Sequence, residues 1–107
     1  MSLMKTLKEK IRIYIAGPMR NYKDENSPAF FDAEKHLTQK NIYEVLNPAQ
    51  MDKEAGYVLS LKEAMQRDLE AVFTADSMYM LRGWERSDGA KVEHALALYL
   101  VLYILYQ

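Results

Sequence analysis

The sequence predicts an α/β protein with a doubly wound parallel sheet of four to five strands, a flavodoxin-like or Rossmann-like three-layer sandwich. Three observations support this fold class. Short apolar segments alternate with segments of helical periodicity in the order β-α-β-α-β-α-β. The strand segments are apolar along most of their length, which is typical of parallel strands covered on both faces. The chain has 107 residues, 50% of them hydrophobic, which suits a single domain over residues 1–107.

The first β-α unit extends from residue 11 to residue 41. Ile11 to Ala16 is a β-branched and apolar segment before a Gly-Pro turn, which predicts a buried strand. After a polar loop, Ser27 is predicted to be a helix N-cap, with Pro28 at the first helical position. Asn41 is predicted to end the unit in a left-handed conformation.

The middle of the chain carries the second strand and the second helix. Ile42 to Leu46 is the predicted strand, stopped by an Asn-Pro pair, and Ala49 to Leu59 is predicted to be irregular. Ser60 and Glu63 then form a capping-box pattern ahead of apolar residues at helical spacing.

The last part of the chain predicts a strand, a helix and a final strand. Asp76 to Leu81 is the third strand, and Arg82 to Asp88 is a polar turn. Gly89 to about Leu100 is the third helix, and Val101 to Tyr106 is the fourth strand. Doubly wound sheets bind ligands beyond the carboxyl ends of their strands, at the switch point. The loops after the first and third strands are therefore the predicted site.

Composition excludes several classes of function. Lys and Arg total 14 and Asp and Glu total 15, so the net charge of −1 argues against binding a nucleic acid polymer. Without cysteine, disulfide scaffolds, thiolate zinc sites and cysteine nucleophiles are excluded. His36 and His94 are the only histidines, so no His-rich metal site is expected. We expect no metal and no organic cofactor.

The two ends of the chain bear on location and assembly. No apolar signal core follows the N-terminal charges, and the apolar stretch from Ala95 to Tyr106 is shorter than the roughly 20 residues that a membrane span needs. We therefore expect a cytoplasmic protein without membrane contact. Residues 1–10 are interpreted as a flexible or tag-derived N-terminus. The apolar last helix predicts a homo-oligomer, a dimer or higher.

The two predicted loops carry an anion-binding pattern. The start of the third helix offers free N–H groups and a partial positive charge. Gly89 allows a ligand close to the backbone, Ser87 adds a hydroxyl, and Arg20 adds a cation. On the pattern alone, ordinary capping by Ser87 or Asp88 with a glycine turn is the favoured explanation of the same residues, because helix caps are common. The predicted phosphate- and substrate-binding residues are Gly17, Pro18, Met19, Arg20, Trp84, Ser87, Asp88 and Gly89. The candidates for stacking on a base are Trp84, Tyr14, Tyr79 and Met19.

Two carboxylates are the candidate catalytic residues. Glu93 follows Gly89 by four residues on the same helix face, about 6 Å further along the axis, so its carboxylate should lie close to the helix start. Its small helical neighbours leave room for a ligand, although a solvated surface glutamate is the ordinary alternative. Asp68 has similar alanine neighbours, and its ordinary alternative is a surface aspartate near Lys62 or Arg67. His94 lies about 100° around the helix from Glu93 and is not paired with it.

Five motifs between residue 11 and about residue 104 resemble an uncharacterised, often phage-encoded domain family related to nucleoside 2-deoxyribosyltransferases. The most specific is Gly-Trp-Glu-x-Ser-x-Gly-Ala-x-x-Glu-His-Ala, at residues 83–95. The others are Ile-Tyr-Ile-Ala-Gly-Pro-Met at 13–19, Asn-Ser-Pro-Ala-Phe at 26–30, Asn-Pro-Ala at 47–49 and Arg-Asp-Leu at 67–69. The resemblance implies a single nucleoside 2-deoxyribosyltransferase-like domain.

The wider superfamily includes 2′-deoxynucleoside 5′-monophosphate N-glycosidases, and the resemblance implies roles for five residues. It implies that Glu93 is the nucleophile and that Asp68 assists it. In the monophosphate hydrolases, a Ser-x-Gly at this helix start and an arginine in the first loop hold the phosphate. Ser87, Gly89 and Arg20 occupy the matching positions.

The chain departs from these relatives at three places. Pro18 stands where the hydrolases carry a serine, which removes one hydroxyl and one N–H donor. Ser87 stands where the transferases carry an acidic residue, which favours a phosphorylated ligand and hydrolysis. The chain also stops soon after the fourth strand, so a residue that relatives contribute there from a neighbouring subunit is expected to be missing. The expected function is cleavage of the N-glycosidic bond of a 2′-deoxynucleoside 5′-monophosphate. Deoxyribosyl transfer and non-catalytic nucleotide binding are the alternatives.

Overall fold

A computed structural model describes residues 9–107, and its centre is one parallel sheet. The strands are β1 (Ile11–Ala16), β2 (Tyr43–Leu46), β3 (Ser77–Met80) and β4 (Tyr103–Tyr106), in the order β2-β1-β3-β4. All three neighbouring pairs are parallel, which confirms the predicted fold class with four strands. The predicted flexible or tag-derived N-terminus lies outside the described residues, apart from the exposed Glu9 and Lys10.

Within residues 9–107, four α-helices cover the sheet. They are α1 (Ser27–Thr38), α2 (Pro48–Ala55), α3 (Leu61–Thr74) and α4 (Asp88–Tyr99). Residues of α1 and α2 pack with Ile13 and Ile15 on one face of the sheet. Residues of α3 and α4 pack with Tyr14 and Met78 on the other face. Alternate residues of β1 therefore enter opposite layers, which makes β1 a central strand buried on both sides.

The segment after β2 corrects one prediction. The sequence predicts irregular structure over residues 49–59, whereas Pro48–Ala55 is a helix. The side-chain oxygen of Asn47 accepts a hydrogen bond from the N–H of Ala49 at 2.9 Å. The Asn-Pro pair that ends the strand therefore also starts a helix, since Asn caps it and Pro fits its first turn.

The start of α1 corrects a second prediction. Ser27 is the first helical residue rather than the N-cap, and Asn26 holds the capping position in a left-handed conformation with φ 60°. The Asn26 side chain does not cap the helix; its amide nitrogen donates to the carbonyl oxygen of Pro18 at 2.8 Å. This bond ties the start of α1 to the loop that follows β1.

Other local predictions are confirmed. Ser60 and Glu63 form both hydrogen bonds of the capping box at the start of α3, at 3.1 and 2.9 Å. Asn41 is left-handed, with φ 56°. At the end of α4, Val101 is also left-handed, with φ 60°, and the N–H of Leu102 bonds back to the Ala97 carbonyl at 2.9 Å.

The strand order positions the site. Because β1 and β3 are neighbours and their chain connections leave in opposite directions, the switch point of the sheet lies between them. The loops that begin at Gly17 and Leu81 leave this edge side by side, and the N–H of Leu81 bonds to the carbonyl of Ala16 at 2.8 Å.

Among residues 9–107, no helix is long and apolar enough to cross a bilayer.

Candidate functional site

Glu93 lies in the second turn of α4, buried against the central strand. Its side chain is only 6% exposed, so it is not the solvated surface glutamate of the alternative interpretation. The hydroxyl of Tyr14 in β1 donates a hydrogen bond to Glu93 Oε2 at 2.9 Å. Tyr14 is itself fully buried, so the tyrosine and the carboxyl group fix one another inside the protein.

Asp68 projects from α3 towards the same place. Its side chain is 14% exposed, and its Oδ1 accepts hydrogen bonds from Arg67 Nε at 3.0 Å and Nη2 at 2.9 Å. Arg67 Nη1 also lies 2.9 Å from Oδ1 of Asp52, which belongs to α2. Asp68 therefore contacts Arg67, as in the alternative of a surface aspartate, but it does so at a largely buried position rather than on the open surface.

The electrostatics show that the two carboxyl groups interact. Burial, followed by the negative charge of Asp68, raises the pKa of Glu93 from 4.5 to about 8. Burial also raises the pKa of Asp68, although the Arg67 guanidinium opposes that rise. Burial and the nearby Glu93 raise the pKa of the Tyr14 hydroxyl well above its ordinary value, so it remains a hydrogen-bond donor. Titratable groups so strongly perturbed are common at functional sites.

The small residues around the carboxylates have a packing role. Ala97 on the Glu93 side of α4 is fully buried, and Ala75 at the end of α3 is 7% exposed. Both belong to the core layer between these helices and the sheet. These two alanines therefore allow the helices to pack closely on the sheet. The space beside them, which the sequence suggested for a ligand, is filled by core residues.

The start of α4 combines a helix cap with an open backbone. Ser87 is the N-cap, and its Oγ accepts a hydrogen bond from the N–H of Ala90 at 3.1 Å, as the capping alternative expects. The hydroxyl proton remains available to donate to another acceptor. The Asp88 side chain is fully exposed, and its Oδ1 lies 3.5 Å from Lys91 Nζ. A Cβ at Gly89 would lie 3.6 Å from Met65 Cε, an ordinary contact distance.

The loop after β1 supplies the other predicted residues. Gly17 has a packing reason of its own, because a Cβ there would lie only 2.7 Å from Leu81 Cβ. Pro18 is buried, and Met19 is half-buried against the core layer of α1 and α2. Arg20 is exposed and forms no ion pair or hydrogen bond with another described residue.

The two loops meet at Gly83, which follows β3. A Cβ at Gly83 would lie 3.3 Å from Tyr22 Oη and 3.6 Å from Pro18 Cγ, and Gly83 itself is left-handed with φ 91°. Beside the first loop, a cleft of about 320 Å³ extends to the wall formed by α2. Its lining residues are Met19, Asp24, Glu25, Ser27, Ala49, Asp52 and Lys53. Asp52 therefore connects the cleft, through Arg67, with Asp68.

Trp84 takes part in an aromatic cluster. Its ring centroid lies 4.2 Å from that of His94 and 6.2 Å from that of Tyr106. The Tyr106 hydroxyl also lies 2.8 Å from His94 Nε2. His94 thus interacts with the aromatic rings, as expected from its angle to Glu93, and it covers part of the Trp84 surface that a base could use.

Three residues of the site have roles that the sequence did not predict. Tyr14 was a candidate for stacking on a base but hydrogen-bonds Glu93 instead. Arg67 and Asp52 form the ion pair behind Asp68, and only the Arg67-Asp68 neighbourhood was visible in the sequence.

Among residues 9–107, no group of three or more His, Cys, Asp or Glu side chains is arranged to hold a metal ion.

The fold and these contacts define a small parallel α/β domain with a buried carboxyl pair beside its switch point. The family to which the chain belongs is a domain of unknown function, DUF4406, whose model matches residues 11–106. No curated protein matches the sequence.

Proposed function

We propose that this protein is an N-glycosidase that cleaves the N-glycosidic bond of a 2′-deoxynucleoside 5′-monophosphate through Glu93. The observation that carries the proposal is the buried pair of Glu93 and Asp68, in which Glu93 follows the open backbone of Gly89 by four residues. Most glycosidases cleave the glycosidic bond with a pair of carboxyl groups that lie in different environments. The motif resemblance to nucleoside 2-deoxyribosyltransferases supports the same reaction class.

In this proposal Glu93 is the nucleophile. Its carboxylate attacks C1′ through an oxocarbenium-like transition state, the C1′–N bond breaks, and the base leaves with its bonding electrons. Asp68 orients the sugar or assists protonation of the leaving base. Water then hydrolyses the glycosyl ester and releases deoxyribose 5-phosphate, which restores Glu93. The Tyr14 hydrogen bond holds the attacking carboxylate in one orientation.

The phosphate would bind at the start of α4. The N–H groups of Asp88 and Gly89 lie in the first turn, where a helix provides no carbonyl partners for them. The Ser87 hydroxyl can donate while it caps the helix, and the exposed Arg20 supplies a cation from the loop after β1. Pro18 supplies no N–H, so the first loop contributes fewer donors than in the hydrolase relatives.

The experiment is a direct assay of base release. Purified protein is incubated with each common 2′-deoxynucleoside 5′-monophosphate at pH 8, and free base is measured by liquid chromatography. We expect release by the wild type and a loss on the order of 10³-fold or more in Glu93→Gln, because the nucleophile is removed. Glu85→Gln, at an exposed glutamate before α4, is the matched control and should retain activity. No release from any common base, or equal release by Glu93→Gln, contradicts the proposal.

Two observations favour a second candidate, a non-catalytic nucleotide-binding module. With a pKa of about 8, only about a tenth of Glu93 is ionised at pH 7, and Pro18 reduces the donors around the phosphate. A binding module would show thermal stabilisation by a nucleoside monophosphate without base release, and similar stabilisation in Glu93→Gln. Transfer to a second base, the remaining alternative, would appear as a new nucleotide when a free base is added to the assay.

A further inference from the structure

Arg67 makes an unusual contact with its own neighbour in the chain. Consecutive helical residues lie about 100° apart and do not normally face one another. Yet Arg67 directs Nε and Nη2 to Asp68 Oδ1, at 3.0 and 2.9 Å. The guanidinium must turn back across the helix surface to do so. Such a conformation needs an anchor, because an arginine side chain otherwise has many rotamers.

Asp52 provides that anchor. Its Oδ1 lies 2.9 Å from Arg67 Nη1, on the side of the guanidinium turned away from Asp68. Asp52 belongs to α2, one element before α3, and lines the cleft beside the first loop. The Arg67 side chain is 25% exposed, so its charge is less screened by water than that of a surface arginine.

We propose that Arg67 is a positioning residue that acts through Asp68. Its two hydrogen bonds fix the Asp68 carboxylate beside Glu93, and Asp52 holds the guanidinium in the orientation that makes this possible. Both bonds end on Oδ1, which leaves Oδ2 for other partners. The role of Arg67 in turnover rests on the proposed N-glycosidase function, whereas its effect on the two carboxyl groups does not depend on it.

A purely structural ion pair between α2 and α3 is the competing explanation, and the two differ in the sign of a measurable effect. If Arg67 acts through Asp68, removing its charge must increase the proton affinity of both carboxyl groups, since the guanidinium lowers the pKa of each. Removing Asp52 takes away a charge that raises the pKa of Asp68, but it also frees Arg67, whose contact lowers that pKa more strongly. If Asp52 is the anchor, its removal must therefore raise the pKa of Asp68, as removal of Arg67 does. If Asp52 holds nothing in place, the two variants must shift the pKa of Asp68 in opposite directions, because they remove charges of opposite sign.

The test is a titration without substrate. The carboxyl carbons of Asp and Glu are labelled with ¹³C, and their chemical shifts are followed by NMR from pH 4 to pH 10 in the whole protein. The charged or titratable groups around the pair are Tyr14 from β1, Asp52 from α2, and Arg67 from α3. We expect Arg67→Met to titrate the pair at higher pH than the wild type, and Asp52→Ala, which removes both the charge and the acceptor, to titrate Asp68 at higher pH too, by a smaller amount.

Arg67→Lys keeps the charge but cannot form the same forked contact. We expect its carboxyl pair to titrate close to the wild type, while kcat for base release falls roughly 100-fold because Asp68 is no longer held in place. If Arg67→Met fails to fold, Arg67→Lys still tests whether Arg67 holds Asp68 in position.

Two results would overturn the inference. One is a titration of Asp68 at lower pH in Asp52→Ala than in the wild type, and the other is a wild-type titration and wild-type turnover in Arg67→Lys. If the wild type releases no base at all but the titrations move with the expected signs, the N-glycosidase proposal fails while Arg67 keeps its influence on Asp68.

Discussion

A carboxyl group that folding removes from water must be neutral or paired with a cation. Glu93 is 6% exposed, and its hydrogen-bond donor is the neutral hydroxyl of Tyr14 rather than a cation. The nearest charge that raises its pKa is the carboxylate of Asp68, which disfavours a second negative charge. At the residue scale, the native protein therefore tolerates the ionised Glu93 poorly, and this has a consequence for stability.

Glu93→Gln should stabilise the protein increasingly as the pH rises. The native pKa of about 8 is higher than the ordinary 4.5, so the native state holds more protons than the unfolded state between these values. Stability associated with Glu93 is complete below about pH 4.5 and is lost as the pH rises to 8, by an upper limit of about 5 kcal/mol. Glutamine keeps the shape and an acceptor for Tyr14 but never ionises.

Urea denaturation at several pH values measures this effect. The free energy of unfolding of Glu93→Gln should exceed that of the wild type by an amount that grows from pH 5 to pH 8 and is constant above. Glu85→Gln, at an exposed position, should show no such trend. A constant difference across the pH range would mean that Glu93 ionises normally in the folded protein.

Tyr14→Phe should change the pH dependence of catalysis. The Tyr14 hydrogen bond lowers the pKa of Glu93, so its removal should raise that pKa further. If ionised Glu93 is the nucleophile, kcat/KM for base release should rise with pH, with its half-maximum near pH 8 in the wild type and at higher pH in Tyr14→Phe. Tyr43→Phe, at a half-buried tyrosine on β2, is the control. Unchanged profiles would remove Tyr14 from the site.

At the scale of elements, each end of α4 leads to a separate prediction. The prediction for the N-terminal end concerns ligand binding. Gly89→Ala should leave stability unchanged or increase it by about 0.5–1 kcal/mol, since alanine favours a helix and its Cβ meets only Met65 at 3.6 Å. If the phosphate lies against this turn, KM should nevertheless rise about 10-fold or more. Thermal unfolding and steady-state kinetics measure the two effects. A stable variant with an unchanged KM would locate the phosphate elsewhere.

The C-terminal end of α4 concerns stability alone. Val101 adopts φ 60°, a left-handed conformation that costs a side-chain-bearing residue about 1–2 kcal/mol and that glycine adopts freely. Its side chain is 86% exposed, so little packing would be lost. Val101→Gly should therefore raise the free energy of unfolding by about 0.5–1 kcal/mol after the entropy of glycine is included. Thermal melting measures it, and Val58→Gly, at a 96% exposed valine without positive φ, should show no gain.

How far the elements could be predicted depended on whether the signal was local. Ser60 and Glu63 predicted a helix start because the capping box involves four consecutive residues. Asn47 and Pro48 have two roles, ending β2 and starting α2, and the sequence pattern revealed only the first. The spacing of residues was enough to place Glu93 and Asp68 on their helix faces. The hydrogen bond between Tyr14 and Glu93 could not be predicted from the sequence, because it depends on how a helix and a strand that are distant in sequence pack together.

On the scale of the whole molecule, the two edges of the sheet differ. β2 carries Glu44, which lies 3.6 Å from Arg12, and a charged edge resists pairing with another chain. β4 has the sequence Tyr-Ile-Leu-Tyr, with neither charge nor proline. Beside it, α4 exposes an apolar stripe, with Leu98 58% and Tyr99 84% exposed. A second copy of the chain could cover both features in a two-fold symmetric contact, because the same patch would meet itself.

We expect the protein to associate with itself through β4 and the exposed stripe of α4. Sedimentation or light scattering should give at least the mass of a dimer at micromolar concentration. The double variant Leu98→Lys, Tyr99→Lys should be monomeric, since two buried lysines in each copy would lose their hydration. Val58→Lys, at an exposed valine in the loop before α3, should not change the mass. A monomeric wild type would contradict this expectation.

The bond between Tyr14 and Glu93 joins residues 79 positions apart in the chain. During synthesis, β1 leaves the ribosome long before α4. The hydrogen bond between Tyr14 and Glu93 can therefore form only after nearly the whole domain has been made. Until then Glu93 is in water and ionised at neutral pH, whereas in the folded protein it is mostly protonated. The docking of the last helix should therefore take up a proton from the solution, and alkaline conditions should oppose the step that completes the domain.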